Sequence, residues 1–157
     1  MSDSETTAAA QPTAAPAAAP AKAPGRALAI IVIVLGAIFA VAGVGTWVVI
    51  SNTLADEHIT VADDAAHFAG QEVSQPWTAY AQANVIEKHA TEIGGGKTYA
   101  ELPQDDPKRA TVMTASFLRA SLFTSVVAFG VALAVFGIGV TVILIGIALL
   151  KTSRVRI

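Results

Sequence analysis

The sequence lacks cysteine and is poor in charged and aromatic residues. Its 157 residues include no Cys, 14% charged and 6% aromatic side chains, whereas 54% are hydrophobic. The absence of Cys excludes thiolate catalysis, disulfide bonds, iron–sulfur clusters and Cys-type zinc sites. So much hydrophobicity with so little charge is not typical of a soluble domain. The composition therefore predicts a small membrane protein.

Two long stretches contain no charged residue and carry most of the hydrophobicity. They are residues 27–50 and 122–150. Because about 20 apolar residues span the hydrocarbon core of a bilayer, each stretch is long enough to cross it. The first is also longer than the apolar core of about 7–15 residues in a cleaved signal peptide, so we expect it to remain as an anchor. The predicted fold is an all-α membrane protein, a two-transmembrane helical hairpin with a partly helical extracytoplasmic loop.

The rest of the chain divides into a tail, a loop and a short end. Residues 1–26 are rich in Ala and Pro, which predicts a disordered cytoplasmic tail. Residues 51–121 form the loop, with a helix predicted at about 77–93. A pre-membrane helix is predicted from Pro107, after the possible cap at Asp106. Residues 151–157 form a basic cytoplasmic end.

Charge predicts the orientation of the two spans. Lys22 and Arg26 precede the first, and Lys151, Arg154 and Arg156 follow the second, whereas the loop carries ten acidic and five basic residues. Basic flanks stay on the cytoplasmic side. We therefore predict a multi-pass plasma-membrane protein with both termini in the cytoplasm and the loop 51–121 outside.

Small residues recur at helical spacing within both spans. Gly130 and Gly137 are seven residues apart, as are Gly139 and Gly146, and seven residues make nearly two helical turns. Small side chains let helix backbones approach closely in lipid. We predict that these residues pack the two spans together or contact a partner's helix. The predicted packing residues are Gly36, Ala40, Gly43, Gly130, Gly137, Gly139 and Gly146.

The helix predicted at 77–93 is expected to pack on the start of the pre-membrane helix. The residues expected at this contact are Trp77, Tyr80, Ala81, Val85, Ala90, Met113, Phe117 and Ala120. Trp77 and Tyr80 have two other possible roles, as aromatic anchors at the membrane interface or as contacts for a protein partner. Arg119 is placed to extend its guanidinium to the outer headgroup layer.

Two patterns in the loop resemble a phosphate-binding site and a metal site, but neither has the residue spacing that such a site requires. Gly94-Gly95-Gly96-Lys97-Thr98 resembles the end of a phosphate-binding loop, but Thr91 stands where that loop needs a glycine. Histidines and carboxylates could be imagined as an iron site, yet no His pair has the spacing that fixes one face. We predict no cofactor, nucleotide or nucleic acid. The candidate metal ligands are His58, His67, His89, Asp63 and Asp64.

Three segments carry a resemblance to a known group of proteins. They are ITVADDA at 59–65, WTAYAQAN at 77–84 and ASFLRASLFTS at 115–125. The chain resembles small two-span membrane proteins of actinobacteria that often carry the label of aromatic ring-opening dioxygenase. A looser likeness, in size, topology and lineage, is to small accessory subunits of actinobacterial respiratory supercomplexes.

These observations lead to one functional expectation and one rival. We expect a non-catalytic accessory or scaffold protein that packs its helices against a larger membrane complex or against itself. The rival is a metal-dependent enzyme carried by the loop, as the dioxygenase label of the similar proteins implies. An accessory subunit of a respiratory supercomplex is the specific form of the scaffold hypothesis.

Overall fold

A computed structural model describes residues 24–152, and this part of the chain is helical. Its elements are α1 (Pro24–Asp56), α2 (Pro76–Ile93), a 3₁₀ turn (Tyr99–Glu101) and α3 (Arg109–Thr152). Besides these helices, the described residues contain one isolated antiparallel bridge, between Thr60 and Glu72. Most of the predicted tail, with Lys22, and the basic residues Arg154 and Arg156 lie outside the described residues. The all-helical fold class is confirmed.

Helices α1 and α3 pack side by side and run in opposite directions. The contact pairs along them are Ala29 with Gly146, Gly36 with Gly139, and Gly43 with Ala132. These buried positions recur every seven residues in each helix. A seven-residue repeat keeps the contact on one side of both helices when they wind around each other with a left-handed twist.

Both long helices are long and apolar enough to cross a bilayer. With a rise of about 1.5 Å per residue, they exceed the hydrocarbon thickness of about 30 Å. Most of their large apolar side chains point away from the helix pair. Val41 of α1, for example, is 72% exposed and Val127 of α3 is 64% exposed. Such a surface is unfavourable in water and requires cover by lipid or by other protein helices.

The connecting segment, residues 57–108, folds against the ends of α1 and α3. Its chain doubles back at the bridge, where Val61 N donates to Gln71 O and Val73 N donates to Ile59 O, each at 2.8 Å. Ser51 fastens this turn to α1, because its Oγ donates to Ser74 O at 2.7 Å. The buried side chains that join the connecting segment to the long helices are Leu54, Val61, Val73, Ala79, Ala83, Leu122 and Phe129.

The helix ends differ slightly from the predicted bounds. Helix α1 continues past the apolar stretch 27–50 to Asp56. Helix α3 begins at Arg109 rather than at Pro107. Asp106 closes a turn before it, accepting from Lys108 N with its Oδ1 at 2.8 Å and from Arg109 N with its carbonyl at 3.0 Å. The Asp-Pro pair therefore acts as a start signal two residues before the regular helix.

The glycine run after α2 forms a helix stop, as predicted. Gly94 ends the helix, and its N–H donates to Ala90 O at 2.9 Å. Gly95 and Gly96 follow with φ of +66° and +84°, in the left-handed region that glycine adopts without strain. The three glycines therefore end α2 and turn the chain toward α3.

Candidate functional site

Five of the seven small residues predicted at a helix contact lie between α1 and α3. They are Gly36, Ala40, Gly43, Gly139 and Gly146. A methyl group added to Gly36 would lie 2.8 Å from the Gly139 carbonyl oxygen, and one added to Gly43 would lie 2.6 Å from Phe136 N. The two backbones thus approach so closely at these glycines that even a methyl group does not fit there. These glycines hold the chain's own helices together and present no surface to a partner.

Gly130 and Gly137 lie on a different side of α3. A methyl group at either position meets no atom of residues 24–152 within 4 Å. Ala134 and Thr141 continue the same line at four and eleven residues from Gly130, and all four positions are exposed. The Thr141 hydroxyl donates to Gly137 O at 2.9 Å, so it needs no external partner. We call Gly130, Ala134, Gly137 and Thr141 the open face of α3.

The aromatic side chains of α2 do not pack as predicted. Trp77 and Tyr80 are about half exposed, and the buried residues of α2 are Thr78, Ala79, Ala83 and Val85. The small side chains of Ala79 and Ala83, one turn apart, let α2 lie close to the core and leave the rings at its edge. The expectation that Trp77 and Tyr80 form the loop core was therefore wrong.

The predicted surface of α3 facing α2 was wrong in the same way. Phe117 is 65% exposed, whereas Val112 is buried. Helix α2 meets the side of α3 that carries Val112 and Ser116, next to Phe117 on the helix. Hydrophobicity favoured Phe117, but the rotation of α3 is set by its long contact with α1.

Arg119 has two partners within the protein. Its Nη2 lies 2.7 Å from Glu87 Oε2 on α2. Its guanidinium also lies 5.1 Å from the centre of the Phe123 ring, which Tyr80 contacts edge-on at 5.7 Å. The side chain predicted to extend toward headgroups thus joins α2 to α3.

A groove lies along α2 and has aromatic residues at its start. It has a volume of about 500 Å³, and Phe68, Trp77 and Tyr80 line it, while Asp64 and Lys88 line its charged part. Phe68 has φ of +61°, a conformation that bulky residues rarely adopt and that costs free energy. We call Phe68, Trp77 and Tyr80 the aromatic surface.

Two of the five candidate metal ligands come together. Asp64 Oδ2 accepts from Lys88 Nζ at 3.0 Å and lies 2.9 Å from His89 Nε2. The hydrogen bond from Lys88, followed by that from His89, lowers the pKa of Asp64, and the same carboxylate raises the pKa of Lys88. Lys88 therefore competes with any cation for this oxygen.

The remaining candidate ligands do not join this pair. Across residues 24–152, no three side chains of His, Cys, Asp or Glu form a group that could hold a metal ion. The ring of His67 lies against Phe68, at 6.3 Å between centroids. Neither His58 nor Asp63 bonds to Asp64. The Asp64 cluster instead fastens the segment around residue 64 to α2.

Sequence reasoning missed three residues of these surfaces. Ala134 and Thr141 follow Gly130 and Gly137 by four residues each, so the small-xxx-small spacing was present and could have identified them. Phe68 had no comparable signal, because its position depends on a backbone conformation that its residue type disfavours.

Comparisons with known proteins do not assign the chain to a family. No protein-family model matches the chain, and the searches of curated proteins and of solved structures found no significant match.

Proposed function

We propose that the chain is a plasma-membrane protein with two spans, both termini in the cytoplasm and the connecting segment outside. Two helices of sufficient length, with apolar residues exposed on their outer sides, support the membrane location. The basic residues before Ala27 and after Leu150, against an acidic connecting segment, support the orientation.

Cysteine labelling tests this orientation. In a chain without native Cys, Gln104→Cys places a thiol in an exposed turn of the connecting segment, and Ser153→Cys places one in the basic end. An impermeant thiol reagent is expected to label position 104 on intact cells and position 153 only after permeabilisation. Labelling of position 153 alone on intact cells would reverse the orientation.

The function that the molecule supports best is that of a non-catalytic accessory or scaffold protein of a larger membrane complex. The open face of α3 is the observation that carries this proposal. In lipid the hydrophobic effect gives no preference for helix contact, so association depends on close backbone packing. Gly130, Ala134, Gly137 and Thr141 offer such a surface, and α1 does not cover it.

The occupant of the open face is a helix of another membrane protein or of a second copy of this chain. A glycine in a helix interior costs about 1 kcal/mol relative to alanine in water. The glycines at the α1–α3 contact are required by close approach, whereas nothing within residues 24–152 requires Gly130 or Gly137. Close approach by a partner helix would explain why these two positions are glycine. A respiratory supercomplex is the specific complex that the looser likeness in size, topology and lineage suggests.

Site-specific photo-crosslinking tests the scaffold role. A photoreactive residue at Ala134 lies on the open face, and one at Val41 lies on an exposed part of α1. In native membranes, position 134 is expected to give one dominant protein adduct, with a partner or with a second copy, and position 41 none. Equal protein adducts from the two positions, or none from 134, would contradict the proposal.

A further inference from the structure

Helix α2 runs antiparallel to the first part of α3, which fixes how deep its first turn lies. Glu87 lies opposite Arg119, and Tyr80 lies opposite Phe123. Moving toward the start of α2 therefore means moving along α3 toward its apolar part. Trp77, nearly one turn before Tyr80, is at about the level of Val127.

The depth of this level follows from the length of α3. If Lys151 marks the cytoplasmic side, a hydrocarbon core of about 30 Å extends back about 20 residues, to near Val131. The bilayer is about 40–45 Å thick with its two polar layers, so the outer layer adds about 5–7 Å, or four to five residues, and ends near Val126. Trp77, at the level of Val127, therefore falls in the outer headgroup layer, and Tyr80, at the level of Phe123, lies about one turn farther out, at the water-facing edge of that layer.

The charge distribution along α2 agrees with this depth. Residues 76–86 contain no charged side chain, and the charged residues Glu87, Lys88 and Glu92 all lie in the part of the helix farther from the apolar region of α3. Asp64 binds Lys88 at this same distant part. The surface beside α2 thus changes from aromatic to charged in the direction that leads out of the bilayer.

Phe68 adds a third ring to the aromatic surface at a cost in backbone strain. Its left-handed conformation keeps the ring in the same groove as Trp77 and Tyr80, and it remains 40% exposed. Three large rings exposed in one groove are unfavourable in water, whereas aromatic rings are favoured at the headgroup layer.

From these observations we propose that Phe68, Trp77 and Tyr80 contact the phospholipids of the outer leaflet and dock the connecting segment onto the bilayer surface. This inference rests on the proposed function for the membrane placement of α1 and α3. It assigns the aromatic surface to lipid, and leaves partner contact to the open face of α3.

Fluorescence quenching by brominated lipid tests the inference. The chain has two tryptophans, so Trp47→Phe leaves Trp77 as the only emitter, and Trp77→Phe leaves Trp47. In phosphatidylcholine vesicles brominated near the headgroup end of the acyl chains, Trp77 is expected to lose roughly half of its emission, because interfacial rings touch the upper chains. Trp47, which lies within α1 against Phe129, reports insertion of the span independently.

The two tryptophans distinguish failure of this inference from failure of the proposed function. Quenching of Trp47 without Trp77 would mean that the span is inserted and the aromatic surface is not on lipid. Absence of quenching at both would contradict the membrane placement itself. A third variant, Ile93→Trp with Trp47 and Trp77 replaced by Phe, places the emitter at the distant end of α2 and is expected to stay unquenched. Quenching there equal to that of Trp77 would also overturn the inference.

A folding defect in Trp47→Phe does not prevent the measurement. Trp77 is half exposed, so Trp77→Phe is expected to fold normally. The quenching of the unaltered protein minus that of Trp77→Phe then gives the contribution of Trp77.

Discussion

Gly139→Ala is expected to weaken the packing of α1 on α3, although it adds only a methyl group. That methyl group would lie 2.7 Å from the Gly36 carbonyl oxygen, which is backbone and cannot rotate away. The two helices must separate to accept it. Overpacking of a tight contact costs about 1–3 kcal/mol, which shifts an equilibrium by roughly five- to 150-fold.

Gly137→Ala is the matched control, two residues away in the same helix. Its methyl group meets nothing within 4 Å in the described part of the chain, so the gain in helix propensity is unopposed. The stability of the helix pair in both variants is measured by SDS-induced unfolding in mild-detergent micelles. In a Trp77→Phe background, the emission of Trp47, which packs on Phe129 at 4.7 Å between centroids, reports the helix contact directly. Equal stability of the two variants would mean that α1 and α3 are not in close backbone contact.

The two long helices could be predicted from the sequence because a simple composition rule determines them. Charge-free stretches of this length form helices wherever the backbone must satisfy its own hydrogen bonds. The glycine spacing also predicted a helix contact. It could not tell Gly139 from Gly137, because each has a partner glycine seven residues away, toward opposite ends of α3. The rotation of α3 relative to α1 determines that Gly139 and Gly146 are buried whereas Gly130 and Gly137 are exposed.

The connecting segment was less predictable because its packing depends on small side chains. Hydrophobicity assigned Trp77 and Phe117 to a core, yet both are exposed, and Ala79 and Ala83 are the residues of α2 that enter the buried cluster. The association of Asp64 with Lys88 and His89 joins residues more than twenty positions apart. No local spacing encodes such a cluster, so it could be identified only from the structure.

Gly137→Ile is expected to reduce association with the partner helix while leaving insertion and the α1–α3 contact intact. Ile is at least as apolar as Gly, so the span remains favourable in lipid. Its side chain fills the open face between Ala134 and Thr141 and holds an approaching backbone away. The overpacking cost of about 1–3 kcal/mol corresponds to a roughly five- to 150-fold loss of binding to the partner. The measurement is the yield of the crosslinked adduct from position 134 at matched expression.

The control for Gly137→Ile is Gly45→Ile, which places the same side chain on α1. A methyl group at Gly45 also meets no atom of the neighbouring helix within 4 Å, but the large exposed side chains of Val41 and Val49 lie one turn to either side, so no run of small residues allows close approach there. The substitution therefore adds equal bulk to an exposed surface that faces no predicted partner. The adduct from position 134 should keep its full yield in this variant. Unchanged Trp47 emission in both variants shows that the helix pair is intact. If Gly137→Ile retains the adduct as well as Gly45→Ile does, the small residues on that side of α3 are not a contact surface, and the scaffold proposal loses the observation that carries it.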